Sequence, residues 1–284
     1  MVRILTDSAC DMPPAQAKEW GIDIIPNIVT FPDGTVIRDS VDMTSDEFYK
    51  KLTAAGGIPQ TSQPGPAPYL EYYRAAKEAG DSVVTVVISG AMSSLFTSAR
   101  LAMEEAGLEG SYVVDSFQAS LSQQIQVRRA ARLRDEGASA AEIAMTLERE
   151  KRHTHLLGMV EDLDHLRRGG RVTVLTNIAG KALGLKPLIE INQRVLATGK
   201  ARGIAAANAG IIQTLERMGG ILAEREYMLG YSTDPHQVDR LQDYITKTLR
   251  LPPAELGQIG ASVGTHVGPG TFGIVFYDNT TYEW

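Results

Sequence analysis

Short apolar runs alternate with longer amphipathic segments through the first half of the chain. Residues 2–5 read as a short buried strand ending at Asp7-Ser8, and residues 22–31 form a second apolar run closed by the turn signal Pro32-Asp33-Gly34. Thr44-Ser45-Asp46-Glu47 is a capping box ahead of residues 48–52, and Pro66 opens a helix predicted to run to about residue 79. Residues 83–88 are almost entirely β-branched, as in a strand covered on both faces. A helix over 93–106, a strand over 111–114 and a helix over 118–136 follow. Ser139-Ala140-Ala141-Glu142 then caps a helix ending near residue 152. This βαβ alternation predicts a doubly wound N-terminal α/β domain with a parallel sheet over residues 1–155.

Beyond residue 155 the strands shorten. Residues 185–191 and 195–197 flank Asn192-Gln193-Arg194 like a hairpin. Helices near 204–218 and 235–249 are interleaved with strands over 226–231, 257–262 and 272–277. The pattern predicts a C-terminal α+β domain, with a mixed or antiparallel sheet, over residues 156–284.

Composition narrows the functions. A chain of 284 residues is long enough for two cores, and 43% hydrophobic with 22% charged residues is an ordinary globular balance. The formal charge of -6, with Lys and Arg scattered, excludes a nucleic acid partner, which demands a basic face. One cysteine, Cys10, forms no intrachain disulfide, and no leader pattern opens the chain, so the cytoplasm is the expected compartment. No apolar run approaches the ~20 residues of a membrane helix. A lipid ligand would have to be held inside the fold.

Two hydroxyl clusters, Thr61-Ser62-Gln63-Pro64 and Ser89-Gly90-Ala91-Met92-Ser93, stand beside apolar runs where neutral donors can meet a small acidic group. Thr61 falls in a predicted loop between two helices. Ser93 falls at a helix start at the C-terminal edge of the sheet, where amides and dipole favour an anion. The alternative for Thr61, Ser62 and Ser93 is simple helix capping. Leu166-Arg167-Arg168-Gly169-Gly170-Arg171 and Gly264-Thr265-His266-Val267-Gly268-Pro269-Gly270 follow in the same order along the chain. Arg171 comes after two glycines that let the backbone bend, and His266 reads as part of a glycine-rich loop. A surface ion pair for Arg171 and a turn cap for His266 are the alternatives. Asp7-Ser8 and Asp115-Ser116 end strands and are expected to organise loops behind the crevice, with turn capping as the near-equal alternative. His153-Thr154-His155 lacks acidic or thiol ligands at suitable spacing, so no metal is expected.

Together with Leu5-Thr6-Asp7-Ser8 and Val114-Asp115-Ser116, these motifs resemble the DegV family of bacterial fatty-acid-binding proteins, from about residue 2 to residue 277. The resemblance implies that Thr61 and Ser93 contact a fatty acid carboxylate, with Ser62 beside them. It implies that Arg171 and His266 complete the polar network around that head. It further implies a non-enzymatic carrier, its lipid site at the domain junction, that presents a long-chain fatty acid to a separate ATP-binding fatty acid kinase subunit serving phospholipid synthesis. A transient membrane contact is compatible with that role, and no cofactor besides the lipid is implied. The exposed stretch Gly199-Lys200-Ala201-Arg202-Gly203 is the candidate for docking the partner through Arg202. The chain has no G-x-x-x-x-G-K-[ST] loop with which to transfer phosphate itself. The other reading is a serine hydrolase or acyltransferase using Ser93, His266 and Asp115, although Ser93 lacks the G-x-S-x-G elbow.

Three departures from the family pattern bear on the lipid pocket. Ser94-Leu95-Phe96 stands where Gly-Thr-Tyr is usual, Ser122-Gln123-Gln124 replaces a glycine pair, and Asn192-Gln193-Arg194 lacks the hairpin glycine.

Overall fold

The protein is described by a computed structural model over residues 1–161, 163–173 and 185–280. In chain order the first half contains β1 (Val2–Asp7), α1 (Pro14–Glu19), β2 (Ile22–Ile25), β3 (Ile28–Thr30), β4 (Val36–Arg38), α2 (Ser45–Ala54), β5 (Gln60–Ser62), α3 (Ala67–Glu78), β6 (Ser82–Val87), α4 (Leu95–Ala106), β7 (Tyr112–Asp115), α5 (Leu121–Asp135) and α6 (Ala140–Glu150). The second half contains β8 (Thr154–Met159), α7 (Asp164–Gly169), β9 (Val172–Thr173), β10 (Leu185–Asn192), β11 (Arg194–Arg202), α8 (Gly203–Arg217), β12 (Met228–Tyr231), α9 (Asp239–Asp243), β13 (Glu255–Gln258), α10 (Ala261–Val267) and β14 (Phe272–Tyr277).

The first sheet is parallel, in the order β2-β1-β6-β7. Alternation along β6 explains its apolar run. Val84 and Val86 face Val127, Ile143 and Leu147 of α5 and α6, whereas Val83 and Val87 face Tyr69, Tyr73 and Ala99 of α3 and α4. The predicted doubly wound arrangement is present.

The second sheet is mixed, in the order β13-β12-β14-β8-β10-β11-β9, with β12/β13 and β11/β9 parallel and its other pairs antiparallel. Leu157, Met159, Phe272, Ile274 and Phe276 pack on α8 and α9 through Ile211, Leu215 and Leu241. The opposite face receives Leu121 and Ile125 of α5, which meet Met228, Val275 and Tyr277. Helix α5 therefore belongs to both cores, since its Val127, Ala130 and Ala131 pack against the parallel sheet.

Several sequence expectations are corrected. The run over 22–31 is two strands, because Pro26 interrupts it and β3 joins β4 and β5 in a small antiparallel sheet. Thr61 lies on β5, opposite Val29, and not in a loop. The strand placed over 257–262 ends at Gln258, and residues 261–267 turn into α10, so His266 sits in the last turn of a helix. Helix α4 begins at Leu95, with Ser94 at its N-cap and Ser93 just before it. Helix α5 begins only at Leu121, because Phe117 and Ser120 adopt positive φ of 58° and 59°. Residues 199–202 belong to strand β11 and Ala201 is buried, so 199–203 is not a uniformly exposed stretch.

Candidate ligand-binding site

A cavity of about 320 Å³ lies between the two sheets. Ile88, Met92, Leu95 and Leu121 line it from the first half; Leu156, Ile189, Ile191, Val195 and Val275 line it from the second sheet, and Ile259, Val263 and Val267 from around α10. This volume falls at the small end of the ~300–1,000 Å³ usual for ligand sites, and the mix of apolar wall with few polar groups is the usual one. Thr61, Ser62, Ser93, Arg171 and His266 all line the same cavity.

The polar cluster is assembled from distant segments. Thr61 Oγ1 lies 2.7 Å from His266 Nε2, joining β5 to α10. Burial pushes the His266 imidazole down to about 4, helped by the positive charge of Arg171 and by His165, so the ring is neutral at neutral pH. Gly169 explains how the ring fits: any side-chain carbon there would overlap His266 Nδ1. Its neighbour Gly170 has φ +68° and ends α7 in the left-handed conformation that glycine tolerates best. The two glycines thus have different tasks, one steric and one conformational. Arg171 follows directly; its guanidinium donates to Gly169 O and, from Nε, to Met92 O at 3.3 Å, tying α7 to the loop that carries Ser93. Ser93 Oγ accepts the Leu95 amide at 3.3 Å, and Ser93 N donates to Ser89 O at 3.0 Å.

The acids behind these loops accept backbone amides. Asp7 is fully buried; its Oδ1 accepts from Ala9 N at 2.9 Å and Asn27 Nδ2 at 3.2 Å, and its Oδ2 from Ile88 N at 2.9 Å and Gln123 Nε2 at 3.1 Å. Burial raises its carboxyl above the usual range despite these four donors. Ser8 Oγ accepts from Asn27 N at 3.0 Å. Asp115 Oδ1 accepts from Gly90 N at 3.1 Å and Phe117 N at 3.0 Å, and Ser116 Oγ pairs with the Gln118 backbone. These four residues hold the turns around the cavity; none of them lines it.

A hydrolytic triad is not assembled. His266 Nε2 is bonded to Thr61 and not to Ser93, and Asp115 is engaged with backbone amides. Arg202 is exposed on β11, away from the cavity lining. His153 and His155 both meet Asp278, at 3.3 and 2.6 Å, and among the described residues no group of three His, Cys, Asp or Glu is placed to hold a metal ion.

Sequence reasoning missed Asn27, Gln63 and Ser262, which add polar atoms to the lining. It also missed His165, whose Nδ1 meets Thr265 O at 2.9 Å. Only the Pro26 break hinted at Asn27, and Gln63 stood inside the singled-out Thr61-Ser62-Gln63-Pro64 cluster without a role of its own; Ser262 and His165 had no local signal. The replacements for the family glycines have clear placements. Gln193 takes φ 60° without being glycine, and Gln123 Nε2 bonds Thr6 and Asp7.

Comparison with known proteins agrees with this architecture. A fatty acid-binding protein of Thermotoga maritima is 30% identical over 281 residues, covering 96% of each chain. The structure of a fatty-acid-binding DegV family protein from Thermus thermophilus superposes with a TM-score of 0.87 at 32% identity, covering 98% of this chain and 99% of that one. A stearic acid-binding protein from Eubacterium ventriosum gives a TM-score of 0.84 at 25% identity, covering 97% of both. The model of the family described as uncharacterised proteins, DegV family, matches residues 1–279, and the chain belongs to that family.

Proposed function

We propose that the protein holds one long-chain fatty acid in the cavity and presents its carboxylate to a separate ATP-dependent fatty acid kinase subunit, for conversion to an acyl phosphate. The observation that carries the reading is the Thr61–His266 bond of 2.7 Å inside a largely apolar cavity also lined by Ser93 and Arg171. A carboxylate drawn from water needs donors or it protonates. Neutral His266 can donate from Nε2 to Thr61 Oγ1, which frees the Thr61 proton for the ligand. Ser93 Oγ already accepts the Leu95 amide, so its proton is free as well. Ser62 adds a third hydroxyl and Arg171 a positive charge, while Asp7, Ser8, Asp115 and Ser116 steady the loops. The tail supplies affinity at ~0.8 kcal/mol per buried methylene. Relatives that bind fatty acids support the same ligand here.

The division between the two domains falls in this reading after residue 155, with the lipid site at the junction. Phosphoryl transfer belongs to the partner, which docks on the face carrying the exposed Arg202. The site of action is the cytoplasm.

Protein purified without added lipid should release one acyl chain per molecule on organic extraction. Ligand at about a hundredfold excess over Kd should add ~2.7 kcal/mol of stability. Neither acyl chain nor thermal shift would overturn the binding role. In a reconstituted kinase assay, Arg171→Ala and Arg202→Ala should lower acyl phosphate formation more than lipid binding; unchanged turnover would overturn presentation while leaving binding intact.

A further inference from the structure

Four glycines lie in register across four adjacent strands of the second sheet. Gly158 of β8 pairs with Gly273 of β14, Gly273 with Gly230 of β12, and Gly230 with Gly257 of β13. On the face turned toward the first half, this row is a floor of bare main chain. Gly158, Gly273 and Gly230 line the cavity, and Gly257 does not. The difference is Leu121. A Cβ on Gly230 would lie 3.0 Å from Leu121 Cδ1, and one on Gly257 would lie 2.6 and 2.8 Å from its two methyls. The leucine side chain therefore occupies the part of the trough that the last two glycines vacate.

Leu121 is also held in place. It is the first residue of α5 and 1% exposed, and the preceding Ser120 has φ 59° and ψ −146°, a conformation that almost only glycine adopts without strain. Ser120 N donates to Ala9 O at 2.7 Å and Ser120 Oγ to Asp11 Oδ2 at 2.5 Å, which fixes that geometry against its cost.

We propose that Leu121 is the end wall of the tail trough and sets the length of acyl chain the cavity accepts. The inference rests on the fatty acid reading above. Removing the side chain opens one strand spacing of ~4.8 Å toward Gly257. A hydrocarbon with bonds of ~1.5 Å crosses that distance in roughly four carbons. Adding a methyl at Gly257 does the opposite, because it drives the leucine methyls back into the cavity.

The test is a competition among a graded series of free saturated fatty acids, read by native mass spectrometry of the intact protein. Leu121→Ala should move the preferred chain longer by about four carbons and raise relative affinity for the longer chain by ~10-fold or more. Gly257→Ala should move the preference shorter, and Leu121→Ala combined with Gly257→Ala should return it toward the parent. One fatty acid per chain with an unchanged length preference in both single variants would overturn the end-wall role. Failure of the parent to bind any member of the series would instead overturn the fatty acid reading itself.

Discussion

His266 shows how one residue's surroundings set its chemistry. Its folded pKa of about 4 is depressed from the ordinary ~6.5, so the fold favours the neutral ring. That contribution is complete above pH ~6.5 and is lost as pH falls from there through about 4. Glutamine cannot take up the proton, so the stability gap between parent and His266→Gln should narrow from pH 7 to pH ~4.5. Urea unfolding at both pH values measures it, and a constant gap would show that the ring is not held neutral by the fold. Gly169→Ala tests the steric side. Its new methyl overlaps the imidazole, so a cost of about 1–3 kcal/mol is expected, with a displaced His266 resonance. An unperturbed resonance would contradict the close packing. None of this was readable locally: the glycine pair looked like a hinge, whereas only Gly170 bends the chain.

At the scale of elements, legibility followed periodicity. The strands and helices of the parallel sheet were readable because β6 is almost entirely β-branched and α2 and α6 carry complete capping boxes. Helix α10 was not. Its sequence Ala-Ser-Val-Gly-Thr-His-Val is rich in poor helix formers, and tertiary contacts hold it. Gly264 lies where a Cβ would come 2.8 Å from the Phe48 ring, and Asp39 Oδ1 accepts the Ala261 amide at 3.2 Å. Strand β5 is three residues long, too short for alternation to register. The contact between Thr61 and His266 therefore joins two elements whose type sequence reasoning misassigned, although both residues had been singled out by motif. Asp39 gives this helix a pH signature opposite to that of His266. Burial raises its carboxyl to about 6 against the pull of the Ser8 hydroxyl and the Ser262 and Ala261 amides. The fold thus favours the protonated form, and stability declines as pH rises from ~4 to about 6. Asp39→Asn should gain on the parent across that window by up to about 1.4 kcal/mol per pH unit. Parallel stability curves for the two proteins would refute this.

Across the whole molecule, α5 connects the halves, and its buried polar residues are the reason its role was hard to read. Arg128, with a side chain 3% exposed, reaches Glu255 at 2.8 Å and Glu226 at 3.6 Å, and lies 5.4 Å from the Trp20 ring centroid. Arg128→Met keeps the stem and removes the charge that meets Glu255, while Arg132, 2.5 Å from Glu226, still compensates that acid. A loss of about 1.5–3 kcal/mol in denaturant unfolding is expected, and less than ~0.5 kcal/mol would show that the pair contributes little. The Thr61–His266 contact has a further consequence for the life of the chain. Its partners are 205 positions apart, a span that synthesis at ~5–20 residues per second covers in roughly ten to forty seconds. The parallel sheet, complete once β7 has been made, has time to form on the ribosome while half of the polar cluster does not yet exist. Until His266 has been made, the growing polypeptide lacks the imidazole that meets Thr61, so this contact is among the last to form, long after the parallel sheet can have closed.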